Sequence, residues 1–359
     1  MTLTERIHAE IAAAGGWLPF DRFMAMALYE PGLGYYAGGR RKFGTMPSEG
    51  SDFVTAPEMS PLFGRALARQ VAQAFAASGV RDVVEFGAGS GALAAQLIAE
   101  LDALGAGLAR YRIVDLSAEL RERQRERLAA WADRVEWLDE LPATLEAVVV
   151  GNEVLDAMPV QLIAFDGQTW RERGVVSAGD GFAFADRDAA LRPPLETGFV
   201  PGTVTEIHPQ GEAFIATLAR MLTRGAAFFL DYGFPEAEYY HPQRHGGTLM
   251  CHQGHLADGD PLVAVGDKDI TAHVNFTGVA LAGQDAGLTV LGYTSQANFL
   301  LNCRIADLMQ PASLGERAMA HRLLAEHEMG ELFKVIGFAP EAAPFDAIGF
   351  ARGDRSHKL

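Results

Sequence analysis

Cysteine is scarce: the chain of 359 residues holds two, Cys251 and Cys303. That is too few for a disulfide framework, so a reducing compartment is the default. Long apolar runs are missing as well. No stretch reaches the roughly eighteen consecutive apolar residues of a membrane-spanning helix, and no span is expected. Positive charge is in short supply, with 30 Lys and Arg against 46 Asp and Glu and a net charge of −16. Nucleic-acid binding needs a basic face to neutralise phosphates, and the spacing of Lys and Arg offers none. An acidic surface suits a cationic or arginine-bearing partner. Residues 1–14 carry Glu5 and Glu10 and lack the Arg-rich, acid-poor character of an organellar presequence. These absences point to a bacterial-type cytoplasmic protein, and there is no internal repeat or low-complexity tail. What the chain does have is 49% hydrophobic residues, enough for a substantial core in one large domain with insertions or two modest ones.

Its periodicity changes in an ordered way. Leu3, Ile7 and Ile11 recur at helical spacing, and Gly15-Gly16 stop that helix. Asp21 stands as the cap of a second helix that runs to Tyr29 and ends at Glu30-Pro31-Gly32. A glycine-rich loop with Tyr35 and Tyr36 follows, and residues 61–77 are again helical in pattern. Strands and helices then alternate: strand at 81–86, helix at 92–104, strand at 111–114, a charged amphipathic helix at 118–132, and strands at 134–137 and 147–150. This alternation predicts an α/β fold, a parallel sheet with helices on both faces. Between 160 and 207 short alternating runs are separated by Asp166-Gly167 and Gly179-Asp180-Gly181, hairpin signals of a β-rich insertion. Helix returns at 211–222, and a buried strand at 226–230 ends in Asp231-Tyr232-Gly233. The last strands are expected at 288–293 and 334–338. From 234 to about 271 Gly, His, Pro and Asp follow one another with little periodicity, a loop whose length marks function in a compact protein. The expected division is a helical N-terminal segment at 1–78 that contributes to the active site, and a core at 79–359. The core carries the insertion at about 160–207 and a substrate-loop segment at about 234–285.

The chemistry is concentrated in two blocks. The first is Glu85-Phe86-Gly87-Ala88-Gly89-Ser90-Gly91, a strand end, a glycine turn and a helix start. Glycine lets the backbone turn sharply and approach a ligand with no Cβ in the way, which suits a nucleoside-bearing cofactor on a sheet edge. Glu85 is placed to organise a methionine ammonium. Asp115, at the end of the next strand, is placed to bind ribose hydroxyls, with Leu116 beside it in the cofactor set. Trp137 flanks the adenine or packs in the core. The run from Gly87 to Ala92 also fits the nicotinamide-dinucleotide pattern. The acid-x-Gly-x-Gly-x-Gly form favours S-adenosylmethionine.

The second block is Gly151-Asn152-Glu153-Val154-Leu155-Asp156, on the same rim. Methyl transfer is an in-line displacement, so the acceptor lone pair must be held at the methyl carbon. A guanidinium delocalises that lone pair, and paired carboxylates gripping its fork orient it and draw charge away from the attacking nitrogen. Asn152, Glu153 and Asp156 supply such a cluster; Asp156 as a helix cap and Asn152 as a turn residue are the structural alternatives. Cys251, His252 and His255, with His241, His245 and His273, lack the closely knit pairs of a zinc site, so no metal is expected. Hydrogen-bonding roles for His255 and His273 around a substrate loop fit better. Tyr35, Tyr36, Tyr239 and Tyr240 read as packing residues, with Tyr35 or Tyr36 able to close over the cofactor.

At these residues the chain resembles the MidA-type S-adenosylmethionine-dependent methyltransferases, whose mitochondrial member is the protein arginine methyltransferase of respiratory complex I assembly. The resemblance covers nearly the whole chain. It rests on Tyr29-Glu30-Pro31-Gly32-Leu33-Gly34-Tyr35-Tyr36, Asp52-Phe53-Val54-Thr55-Ala56-Pro57-Glu58, the Glu85 to Gly91 loop, and the Asn152-Glu153 block with Asp156 and Pro159-Val160. Further along come Asp231-Tyr232-Gly233, Gly247-Thr248-Leu249, His255, Asp269-Ile270-Thr271-Ala272-His273-Val274 and Gln296-Ala297-Asn298-Phe299-Leu300. It implies a class I, Rossmann-like methyltransferase fold, a small extra domain built from insertions, and methylation of an arginine on a protein substrate, with a respiratory-complex subunit as candidate partner. Asp231, Tyr232, His255, Asp269 and His273 become candidates around the substrate. Ser51 and Asn275 depart from the family's usual Gly and Asp, and the second departure bears on acceptor preference. The rival readings are a nicotinamide-dependent oxidoreductase and an assembly chaperone that retains a cofactor site.

Overall fold

The computed structural model describes residues 1–38, 54–196, 198–254 and 256–359. Its centre follows from the apolar runs. Where a sheet is covered on both faces, every residue of a strand is buried, and a continuous hydrophobic run replaces alternation. Val148, Val150, Phe228 and Leu230 face one core, and Ala147, Val149, Ala227 and Phe229 face the other. Each such Val, Leu or Phe side chain contributes roughly 1.5–3 kcal/mol when fully buried.

The chain starts with α1 (Leu3–Ala13), whose Thr2 and Glu5 cap each other's backbone, then β1 (Leu18–Pro19) and α2 (Phe20–Tyr29). Asp21 does not cap α2. Pro19 supplies the extended residue before the helix, and Asp21 lies within its first turn. After α3 (Ala56–Met59) and α4 (Pro61–Ser78) come β2 (Asp82–Phe86), α5 (Ala92–Ala103), β3 (Arg110–Val114), α6 (Ala118–Arg127), β4 (Val135–Trp137) and β5 (Leu145–Asn152). The charged helix stops earlier than its pattern suggests, because Leu128 turns into the core and Ala129–Trp131 tighten into a 3-10 turn.

Next, β6 (Gln161–Phe165), β7 (Trp170–Ala178), β8 (Gly181–Asp188) and β9 (Val204–Ile207) join β1 in a separate antiparallel sheet. Both glycine hairpin signals fall between its strands. α7 (Pro209–Met221), β10 (Leu222–Phe234) and α8 (Glu236–Tyr239) follow. The segment expected to be a loop instead carries a three-stranded sheet of β11 (Met250–Gln253), β12 (Leu256–Asp258) and β13 (Asp269–Thr271) in the order β12-β11-β13. Strands of three or four residues are too short to print a period of two on the sequence. The chain closes with β14 (Val274–Asn275), α9 (Phe276–Asp285), β15 (Leu288–Ser295), α10 (Gln296–Asn302), α11 (Ile305–Met309), α12 (Leu314–Leu324), α13 (Met329–Leu332) and β16 (Phe333–Pro340).

The main sheet has the order β15-β16-β10-β5-β2-β3-β4, with β14 paired to the end of β10. All neighbours on this path run parallel except β16, which is antiparallel to both β10 and β15. This is the parallel sheet with helices on both faces that the strand–helix alternation predicts, with an antiparallel strand added near one edge. Helices α4, α5 and α10 to α12 cover one face, and α7 and α9 the other. Register sets Glu85 opposite Val150, Phe86 opposite Gly151, and Leu230 opposite Asn152, so the carboxyl ends of β2, β5 and β10 share one rim. Open α/β sheets bind ligands at that rim. Helices α1 and α2 pack between the β6 to β9 sheet and the small β11–β13 sheet, which brings Tyr29 to the same end. Among the described residues no helix is long and apolar enough to cross a membrane.

Candidate active site

A cavity of about 980 Å³ opens at this rim. It lies at the upper end of the roughly 300–1,000 Å³ typical of ligand sites. One part is walled by the loop after β2. Gly87 and Gly91 take φ of +63° and +80°, which a side chain would strain, and a Cβ on Gly87 would sit 3.2 Å from Val154. The bare backbone of Gly87, Ala88, Gly89 and Ser90 therefore forms a cradle that side chains would fill. Gly91 lies just behind that surface, against Gln124.

Gln124 is the hub of this half. Its amide donates to the Gly89 carbonyl at 2.9 Å and to Asp115 Oδ2 at 2.8 Å, and accepts from the Trp137 indole at 2.8 Å. Asp115 Oδ1 accepts from Ser117 N at 2.9 Å, and burial raises its pKa. Leu116 projects at the mouth, 81% exposed. Trp137 does not line the cavity. Its indole donates to Gln124 and its ring lies under the Arg125 guanidinium, so Gln124 links it to the site. Glu85 lines the cavity from below and accepts from Tyr111 Oη at 2.7 Å. Burial pushes Glu85 up to about 8, with Asp115 adding to the rise and the Tyr111 bond opposing it. Over the loop, Arg127 bonds Glu58 at 3.0 Å and Ser90 at 2.8 Å, and Ser90 also bonds Glu58. That contact pins α3 to the glycine turn.

The other part is walled by the ends of β5 and β10, the small sheet and α2. Glu153 has φ of +54°, a left-handed conformation that costs a non-glycine residue free energy and clusters at functional sites. Asn152 Nδ2 donates to its carboxylate at 3.0 Å, and the backbone N–H of Ala56 also bonds it. Two blocks far apart in sequence thus meet. Burial first, then Asp156, pushes Glu153 up to about 8. Asp156, 5% exposed, accepts from Tyr232 Oη, and burial raises it to about 6. No helix follows Asp156, so it caps none.

Asp231 is the surprise of the site. It is 1% exposed and does not line the cavity. Its Oδ2 accepts from the backbone N–H groups of Val154, Leu155 and Asp156 at 3.1, 2.9 and 3.3 Å, and its Oδ1 from Tyr232 N at 3.0 Å. It holds the turn that carries Glu153 and Asp156. Burial together with Asp156 and Glu153 raises its pKa, while the Leu155 and Asp156 N–H groups pull it down.

Register explains the small sheet. Met250 pairs with Thr271 and His252 with Asp269, and all four line the cavity; Cys251 pairs with Ile270 on the opposite, buried face. His273 packs at 5.2 Å from both Tyr232 and Phe234, and burial, then Arg244 and Lys334, lowers it to about 4. Asn152 Oδ1, Asp156 Oδ1 and His273 Nδ1 are buried with no hydrogen-bond partner among the described residues. His255 lies outside the described residues. Tyr35, Tyr239 and Tyr240 are buried packing residues. Tyr36 lines the cavity beside Asp269, its hydroxyl donating to Asp269 at 2.9 Å. Tyr29, absent from the sequence-derived site, lines the same wall and donates to the Ala157 carbonyl at 2.8 Å.

Among the described lining residues the acids are Glu58, Glu85, Asp115, Glu153, Asp156 and Asp269, against Arg322, which is paired with Glu328. The site favours a cation. Among the described residues no group of three His, Cys, Asp or Glu is arranged to hold a metal ion. A glycine cradle, a buried acid beside it and a second acid at the next strand end fit the methionine and ribose parts of S-adenosylmethionine.

Comparison with known proteins agrees. Residues 66–294 match the model of an S-adenosyl-L-methionine-dependent methyltransferase family. The crystal structure of a Burkholderia thailandensis protein bound to S-adenosyl-homocysteine is 54% identical, with a TM-score of 0.96 over 99% of this chain and 96% of that one. The mitochondrial protein arginine methyltransferase NDUFAF7 of Mus musculus is 28% identical over 90% of this chain and 81% of its own. Its Homo sapiens counterpart is 25% identical over 90% and 80%. The cofactor is S-adenosylmethionine, and the nicotinamide alternative falls.

Proposed function

The chain belongs to this family of S-adenosyl-L-methionine-dependent methyltransferases, and on that premise we propose that it methylates an arginine side chain of a protein. The observation that carries this reading is the acid pair on the β5 turn. Glu153 is held in a strained conformation, and Asp156 keeps one buried oxygen without a partner. Support also comes from the names of the distant NDUFAF7 relatives.

In this reading the backbone of Gly87 to Ser90, backed by Gly91, cradles the methionine part of the cofactor and Glu85 meets its ammonium. Asp115 holds the ribose hydroxyls and Leu116 covers the adenine. Bound S-adenosylmethionine supplies a methyl group on a positively charged sulfur. Glu153 and Asp156 accept the guanidinium N–H donors side by side, which fixes the fork and aims one nitrogen lone pair. They also draw the positive charge toward the nitrogens that do not react. As the N–C bond forms and the S–C bond breaks, one N–H proton must leave, and the Glu153 carboxylate receives it. The acceptor is an arginine exposed before its protein assembles, with a respiratory-complex subunit as the candidate suggested by the family resemblance.

The test is Glu153→Gln studied by titration calorimetry and single-turnover transfer. The reading expects S-adenosylhomocysteine affinity within about twofold of the parent and transfer reduced by roughly 10²-fold or more. Parental transfer by the variant removes Glu153 from the mechanism.

A further inference from the structure

The aromatic wall beside the acids has no assigned role. Tyr29, at the end of α2, and Tyr36, in the following loop, lie with ring centroids 5.5 Å apart and planes 17° from parallel. Both line the part of the cavity that holds Glu153, Asp156 and Asp269. We propose that the acceptor guanidinium stacks flat against one outer ring of this pair, and that the pair selects guanidinium over ammonium. The inference rests on the arginine reading above and deepens it.

Three features lead there. The rings cannot swing away: Tyr29 Oη donates to the Ala157 carbonyl at 2.8 Å and Tyr36 Oη to Asp269 Oδ1 at 2.9 Å. Tyr35, fully buried, braces Tyr36 edge-on, with centroids 5.0 Å apart at 85°. Second, the hydroxyls stay neutral. Burial, with Asp269 next among the causes, pushes both well above the ordinary tyrosine value, so the wall adds no charge of its own. Third, the two kinds of contact are orthogonal. A guanidinium offers a weakly hydrated flat face to an aromatic ring while its five N–H donors radiate in its own plane. Those donors meet carboxylates at the edge, and Ala157, which anchors Tyr29, directly follows Asp156. Wall and grip are therefore tied together by the hydrogen bond from Tyr29 to the residue next to Asp156. A lysine ammonium is a strongly hydrated point charge with no flat face, and it gains less from wall and acids together.

The experiment has two arms, both on the full-length protein saturated with S-adenosylhomocysteine or its methyl donor. In the first, methylguanidinium and methylammonium are titrated while the ring signals of Tyr29 and Tyr36 are followed by NMR. Guanidinium is expected to shift both rings and to bind about tenfold more tightly than ammonium, with the preference lost in Tyr36→Leu and kept in Tyr36→Phe. In the second, proteins from cells lacking this enzyme are incubated with parent, Tyr29→Leu, Tyr36→Leu and Tyr36→Phe, and methylarginine is quantified by mass spectrometry. Both leucine variants should raise KM for the acceptor about tenfold while leaving the S-adenosylhomocysteine Kd unchanged, and Tyr36→Phe should restore KM toward the parent. Leucine variants that form methylarginine with parental KM, or equal ring shifts from the two cations, overturn the wall. Guanidinium-selective ring shifts without methylarginine from the parent enzyme would leave the wall standing and sink the arginine reading instead.

Discussion

Asp231 Oδ2 stands 2.9 Å from the backbone nitrogen of Leu155, and it takes the neighbouring N–H groups of Val154 and Asp156 as well. One strand of the sheet thereby builds the turn that follows another. The acid pair is aimed by a third acid that never reaches the cavity.

Asp231→Ala should consequently disable transfer without emptying the cofactor site. Three turn N–H groups lose their acceptor, at about 1–3 kcal/mol for each buried donor left unpaired. Thermal melting should fall, kcat should drop by at least tenfold, and S-adenosylhomocysteine affinity measured on the folded variant should stay near the parental value. Loss of affinity with intact kcat would place Asp231 in cofactor binding.

The pH dependence separates the two raised glutamates. Glu153, held at about 8, is protonated at neutral pH and must lose that proton to grip a cation. With saturating S-adenosylmethionine, kcat/KM for the acceptor should rise as pH increases through about 8 and then level off. In the Glu153→Gln variant this rise disappears from whatever transfer remains.

Glu85 titrates near the same value, and its effect is read in the absence of acceptor. The cofactor's ammonium prefers the carboxylate form, so S-adenosylhomocysteine affinity should increase from pH 6 toward about 8 and flatten in Glu85→Gln. The linkage to stability has the opposite sign. The folded state holds this proton more tightly than the unfolded chain, so stability falls as pH rises from the ordinary glutamate value to about 8. A melting temperature that climbs over this window in the parent, relative to Glu85→Gln, would contradict the assignment.

Gln124 joins the glycine loop to the ribose acid, and its own carbonyl oxygen is held by Trp137. Gln124→Ala should weaken S-adenosylhomocysteine binding about thirtyfold, from two lost hydrogen bonds of about 1 kcal/mol each. Trp137→Phe should weaken it less and in the same direction. Equal loss in both would mean that Trp137 touches the cofactor directly.

How far the site could be read from sequence depended on how local each signal was. The Glu85 to Gly91 turn and the Asn152-Glu153 block each lie within one strand end, and the parallel sheet follows from apolar runs buried on both faces. Asp231 was legible as a candidate but not as a strut, because its partners are backbone N–H groups some 75 positions away, across the β5–β10 boundary. Trp137 reads as an adenine neighbour from its place at the end of β4, and the structure shows its indole bonded to Gln124, spaced four residues from both Leu120 and Leu128 on the buried side of α6. That spacing was the available clue to Gln124. Tyr29 was hidden because its pairing with Tyr36 depends on how the loop after α2 folds back, with Tyr35 N and Tyr36 N bonding Ala27 and Leu28 carbonyls at 2.8 Å. The β11–β13 sheet escaped because its strands are too short to show a period.

The most direct test of the account is to identify the residue that receives the methyl group. Proteins from cells lacking this enzyme, incubated with it and isotopically labelled S-adenosylmethionine, should yield label on arginine guanidinium nitrogen by peptide mass spectrometry, reduced by roughly 10²-fold or more with Glu153→Gln. Label on lysine, on a carboxylate or on a small molecule, with arginine untouched, would contradict it.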